Sequence, residues 1–298
     1  MTRGGWLKIA GTILLGIILL PPSAQALTFS PERIFLEGKK GETLEASVEL
    51  TNEENFPTVI HAEVVDFETG KEVGVPEFVP ENIKNGLKLV TNLSATDFEL
   101  PARGRKKFVF VVKIPEASRG SYFGAVHFSS SPKTGASSRV AVTGPLVFIT
   151  VTGAADGLLT YQNQARSSFY FSQPLQFRVK LENHGSAFEI PEGRIVIQNF
   201  FNQPLAVYSL RDPGRVILPG ESREIVFEAP DMEKGFMKSL LWTWGFGPYT
   251  ASAEINYGQG RQLKFQAGNY WVISWPLVLA SVLIAVFAVW VLGWHKKR

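Results

Sequence analysis

The chain has 298 residues, 45% hydrophobic and 19% charged, which is room for about two folded domains and excludes a disordered chain. Its formal charge of +3 rests on Arg3, Lys8, Lys296, Lys297 and Arg298 at the two ends; the stretch between them carries −2 and offers no net attraction to nucleic acid. Cysteine is absent, which excludes disulfides, thiol catalysis, Cys-ligated zinc and iron–sulfur clusters, and four scattered histidines leave little for a metal site.

Residues 1–26 read as a secretory signal. Arg3 and Lys8 give a positive start, and Ile9 to Leu20 is an apolar run too short for a stable span. Pro21 and Pro22 break the run, and Ala24 and Ala26 supply the small residues that a signal peptidase needs.

Strict alternation follows. Leu44, Ala46, Val48 and Leu50 alternate with Glu45, Ser47, Glu49 and Thr51. Phe108, Phe110, Val112 and Ile114 alternate with Val109, Val111 and Lys113, and Phe177, Val179 and Leu181 with Arg178, Lys180 and Glu182. Period two with β-branched and aromatic residues predicts strands with one buried face. Gly, Pro and Asn at short intervals then predict an all-β chain of Ig-like sandwiches.

The pattern occurs twice. Val48 to Asn52 matches Val179 to Asn183, Leu100-Pro101 matches Leu218-Pro219, and Gly120-Ser121-Tyr122 matches Gly247-Pro248-Tyr249, at offsets of 131, 118 and 127 residues in the same order. This predicts two copies of one domain, at 27–153 and 156–268, divided at the small residues Gly153 to Gly157. In each copy the Asn turns the chain by bonding nearby backbone, and the Tyr sits at a sheet corner.

Phe236, Met237, Leu240, Leu241 and Trp244 fall at helical spacing just before a strand of the second copy, with Trp242 among them. Strand parity puts this segment at the end where the last strand, Arg261 to Gln266, leaves for the C-terminus. Two readings follow: an interfacial or partner-binding foot, or a plug that fills the bottom of the sandwich.

Val272 to Trp294 then runs 23 residues without a charge. At ~1.5 Å per residue that is ~34 Å, enough to cross ~30 Å of hydrocarbon. Trp271 and Trp275 flank one edge and Trp290 and Trp294 the other. His295 to Arg298, with Lys296 and Lys297, form a basic tail that predicts a cytoplasmic C-terminus. The expected localisation is a single-pass membrane protein whose bulk lies outside the cytoplasm, with the lipid bilayer as one partner.

Catalytic signals are weak. Ser130-Ser131-Pro132-Lys133 fits S-x-x-K and Lys133-Thr134-Gly135 fits K-T-G, but the two overlap in one stretch, whereas serine acyl-transferases need them far apart. His61 and His127 read as strand residues, and Asp66, Glu68 and Glu72 as a solvated hairpin. No catalytic residue, cofactor or metal is expected.

Longer stretches carry a resemblance. Phe29 to Thr43 reads F-x-P-E-R-I-x-L-x-x-K-K-G-E-T, Pro57 to Phe67 reads P-x-V-I-H-A-E-V-x-D-F, and Ile114 to Phe128 reads I-P-E-A-S-R-G-S-Y-F-G-A-V-x-F. These resemble the N-terminal domain of the WxL-interacting proteins of bacterial cell surfaces. Glu182 to Ile197, Leu218 to Arg223 and Tyr249 to Gly258 resemble that family's C-terminal domain. The resemblance implies a non-catalytic surface scaffold that binds peptidoglycan, a surface partner protein, or both. It identifies no individual contact residue. The alternative is a strand-donating assembly factor similar to PapD-type chaperones, with Val140, Val142 and Leu146 to Val151 as the donor edge.

Overall fold

The computed structural model describes residues 27–70, 75–132, 140–142, 144–153, 157–162, 169–173, 176–210, 215–228 and 245–295. The expected signal with Ala24 and Ala26, the segment with Phe236, Leu240, Leu241, Trp242 and Trp244, and the tail Lys296, Lys297 and Arg298 lie outside the described residues. The described residues are mostly β-strand, with an α-helix at the C-terminal end.

It falls into two compact units. The first is built from residues up to Phe67, Phe78–Ala117 and Tyr122–Ile149; the second holds Glu68–Glu77, Ser118–Ser121 and everything from Thr150.

The strands of the first half are β1 (Leu27–Ser30), β2 (Arg33–Gly38), β3 (Thr43–Asn52), β4 (Thr58–Thr69), β5 (Pro76–Val79), β6 (Thr91–Leu93), β7 (Asp97–Leu100), β8 (Arg105–Lys113), β9 (Tyr122–Pro132), β10 (Val140–Val142) and β11 (Leu146–Val151). One sheet runs β1-β3-β8-β6. The other runs β2-β11-β9-β4-β5, with β10 on β9 and β7 on β4. The alternation places the core as expected: Ala46, Val48 and Leu50 face Phe108, Phe110 and Val112 along β3 and β8, and all six are buried.

The second half repeats the scheme with β12 (Leu159–Gln162), β13 (Phe169–Tyr170), β14 (Gln176–Asn183), β15 (Glu192–Asn199), β16 (Pro204–Ser209), β17 (Ser222–Glu228), β18 (Phe246–Tyr257) and β19 (Arg261–Ile273). Its sheets are β12-β14-β17 and β13-β19-β18-β15-β16. Phe177, Val179 and Leu181 meet Ile225 and Phe227 on one layer and Ile195, Ile197, Ala251 and Ile255 on the other. In both halves the opening strand is split. Its first part joins one sheet (β1 on β3, β12 on β14) and its second part the other (β2 on β11, β13 parallel on β19).

The repeated asparagines do equivalent work. Asn52 ends β3 fully buried, and its Nδ2 donates to the carbonyls of Phe56, Leu100 and Pro101, while its Oδ1 accepts from the Glu54 N–H. Asn183 ends β14 fully buried; its Nδ2 donates to Ala187 and Ile217, and its Oδ1 accepts from the Gly185 N–H. One amide thus closes its own turn and ties it to the distant Leu-Pro connection. A buried carbonyl left without such a donor costs about 1–3 kcal/mol.

The helix α1 spans Trp275–His295, and its stretch Trp275–Leu292 has a mean hydropathy of 2.5 with none of it buried. It is the one helix, among the described residues, long and apolar enough to cross a membrane. It starts three residues later than the charge-free run predicts, because Val272 and Ile273 still belong to β19, paired with Gly247 and Phe246. The final strand accordingly runs to Ile273, well past Gln266. Pro276 falls in the first helical turn, where its missing N–H breaks no bond.

Candidate functional site

The last strand of the first sandwich is interrupted. β10 pairs β9 through Val140↔Ser130, Ala141↔Ser129 and Val142↔Phe128, and β11 resumes the pairing at Leu146↔Ala125. At the break Gly144 passes so close to β9 that a Cβ there would collide with the Val126 carbonyl oxygen, so only glycine fits. The Val126 N–H donates to the Pro145 carbonyl at 3.2 Å and carries the pairing across the gap.

Outside this strand the two parts differ. β2 covers β11, beginning where the Leu146 N–H donates to the Glu32 carbonyl at 3.0 Å. Before that point the chain is β1, on the opposite sheet, so no strand among the described residues lies along the outer edge of β10. An uncovered strand edge presents a row of backbone donors and acceptors that an extended chain can pair with. Phe128, the register partner of Val142, meets Phe108 edge-on at 5.2 Å, and Phe108 stacks on Phe98 at 5.4 Å.

The titratable groups singled out in the sequence do not converge. His61 on β4 bonds Asp97 on β7 at 2.9 Å on the surface. His127 on β9 packs edge-on to Phe78 at 4.4 Å, and burial lowers its pKa against the opposing pull of Glu63. Asp66 is not on a solvated hairpin. It is fully buried and accepts from the Ile83 and Lys88 N–H groups, which fastens the loop before β6. Ser130 lies inside β9, not at the start of a helix as an S-x-x-K nucleophile requires, and Lys133 to Gly135 lie outside the described residues. Among the described residues there is no cluster of three metal-ligating side chains.

Two further groups were not singled out by sequence. Glu189 is buried, exchanges backbone bonds with Ile217 at 2.9 and 2.8 Å, and has its pKa raised to about 7 by burial, against a Gly258 backbone bond and Arg261. Tyr208, Tyr249 and Tyr270 form an aromatic knot with Phe177, and burial raises all three phenols. The expected corner tyrosine, Tyr249, is part of it. On the outer face of the five-stranded sheet a shallow depression of about 440 Å³ is lined by Val196, Gln198, Ser252, Glu254 and Lys264. Glu254 there bridges Lys264 at 2.6 Å and Arg194 at 3.0 Å, and both cations hold its carboxyl below the usual range.

Of the predicted membrane flanks, Trp271 lies on β19 and Trp275 opens α1, both exposed. Trp290 and Trp294 pack edge-on at 5.0 Å one turn apart near the other end.

No protein-family model and no curated protein matches this chain. Among solved structures it is similar to the class 5 fimbriae chaperone CfaA, at 11% identity and a TM-score of 0.45 over 81% of this chain and 99% of that one. It is similar also to a Salmonella enterica SafA pilin–SafB chaperone complex (9%, TM-score 0.38, 83% and 98%) and to the E. coli chaperone DraB (11%, TM-score 0.37, 81% and 95%).

Proposed function

We propose that this chain is a membrane-anchored, non-catalytic surface protein that captures an extended segment of a partner protein along the outer edge of β10. The observation that carries this reading is that β2 covers β11 and leaves β10 without an outer neighbour among the described residues. Of the two roles the sequence offers, strand-pairing assembly factor and wall scaffold, this geometry favours the first. Backbone pairing needs no special side chain, which agrees with a surface whose titratable groups serve packing and turns. The anchor is α1, with Trp271 and Trp275 at the outer interface and Trp290 and Trp294 at the inner one. The family resemblance supports a bacterial cell surface as the setting and keeps peptidoglycan as the competing ligand.

The test uses the full chain in lipid nanodiscs, incubated separately with surface proteins and with purified wall of the source cell. Capture of a surface protein should slow amide exchange at Val140, Ala141 and Val142 while leaving the β17 amides unchanged. Capture with no change at those three amides, or retention of peptidoglycan alone, would defeat the proposal.

A further inference from the structure

Among the described residues, the end of the five-stranded sheet nearest α1 is aromatic. Phe169 and Trp271 are register partners on β13 and β19, and Phe171 follows β13 directly. Phe246 opens β18 opposite Ile273. Phe200 and Phe201 lie in the β15–β16 turn; β15 ends with Asn199 opposite Tyr249, so the turn continues to the level of Gly247 and Trp271. All six side chains are exposed, from 45% for Trp271 to 68% for Phe171. All six lie within about four strand residues of Trp275 along the sheet, roughly 13 Å.

The turn is built to hold its two rings outward. Asn199 Oδ1 accepts from both the Phe201 and Gln203 N–H groups at 3.0 Å, and the Asn199 and Gln203 backbones bond at 3.2 Å. Asn202 takes the left-handed conformation at φ 60° that closes it. The rings of Phe200 and Phe201 lie 3.9 Å apart. Exposing two phenylalanines in water on a turn this well bonded works against the hydrophobic effect, which favours covering them.

Charge is absent from this level of the five-stranded sheet; in the facing sheet Glu228 ends β17 opposite Gln176. The described parts of the windows 169–177, 195–210, 245–253 and 265–294 contain no Asp, Glu, Lys or Arg. The charged residues of these strands, Glu192, Arg194, Glu254, Arg261 and Lys264, all lie toward the opposite end.

The helix is fastened to this end on both sides. Ser274 alone separates β19 from α1. Its N–H donates to the Gly245 carbonyl at 3.1 Å, on the β18 side, and the Trp275 N–H donates to the Phe171 carbonyl at 3.1 Å, on the β13 side. A membrane entered at Trp275 therefore meets this aromatic end without any intervening linker.

From this juxtaposition we infer that the second sandwich docks on the bilayer, with Phe169, Phe171, Phe200, Phe201, Phe246 and Trp271 seated in the headgroup–acyl boundary of the leaflet that α1 enters. The inference rests on the reading of α1 as a membrane span. The occupant is lipid because the surface is continuous with the helix root and shares its aromatic, uncharged chemistry. Aromatic side chains favour this boundary, and interfacial elements sink into it by roughly 5–10 Å.

The absence of cysteine allows a direct test. Single variants Phe171→Cys, Phe201→Cys, Gln259→Cys and Val286→Cys each carry a nitroxide label on the full chain in phosphatidylcholine nanodiscs. Gln259 marks the far hairpin turn and Val286 the middle of α1. Labels at 171 and 201 should relax severalfold more with a lipid-soluble than with a water-soluble relaxant, at a depth just below the headgroups, with 259 in water and 286 deep. If 171 and 201 behave like 259 while 286 is deep, the docking is wrong and the anchor stands. Shielding of 171 and 201 from both relaxants overturns it in favour of a protein partner. If 286 also reports water, the spanning reading fails and the docking falls with it.

Discussion

The final strands of the two sandwiches occupy the same place in their folds and end in opposite ways. In the first, β10 and β11 are broken at Gly144, and the split opening strand covers only β11. In the second, β19 runs 13 residues, pairs with β18 along its length, and is met by β13 near its end before it becomes α1. The difference lies in how far the cover reaches. Where it stops short, β10 has no outer neighbour among the described residues; where it reaches the strand's end, the strand runs directly into α1.

If the two halves are equal in their cores and differ only at this strand, matching core lesions should cost the same. Phe110→Ala and Phe227→Ala each remove a fully buried ring, and each should cost about 3–5 kcal/mol. Calorimetry of the full chain in detergent should show each variant lowering one transition and sparing the other. Loss of both transitions together would break the comparison.

Glu189 lies in the second half alone and should separate the two by pH. Its folded pKa, about 7, lies above the ordinary 4.5. Below about pH 4.5 the carboxyl is neutral in the folded and unfolded chain alike. As pH rises from 4.5 through 7 the unfolded chain ionises first, so stability from this group is lost across that window, by about 3 kcal/mol at most. The second transition should fall over this range and the first should not follow it. Glu189→Gln should flatten the second.

The asparagine corners sharpen the comparison further. Asn52→Ala strands three carbonyls and Asn183→Ala two, so each should cost about 2 kcal/mol, with the first the larger. Denaturant unfolding of the two variants side by side reads the order directly.

Much of this was legible in the sequence, for reasons that differ by element. β3, β8 and β14 were readable because one face is buried and the other wet, which writes a period of two. The Asn pair was readable because the turn it closes is local. The helix was readable from missing charge, but not its start: Val272 and Ile273 are as apolar in a strand as in a span, and only pairing with Phe246 and Gly247 decides between them. The stretch read as a donor edge, Val140, Val142 and Leu146 to Val151, divides into two strands in the fold. β2 covers β11, and no described strand lies outside β10, a fact set by β2, more than a hundred residues away. Of the aromatic end only Trp271 was legible, because the other members lie on separate strands and turns and only the sheet register brings them to one level.

The one-residue junction at Ser274 also fixes an angle. In an α-helix each residue turns the chain by about 100°. With β19 bonded on both sides up to that point, the face that α1 presents sideways is locked to the orientation of the second sandwich. One residue added at this junction would turn the helix by about 100° relative to the second sandwich and point it at different neighbours.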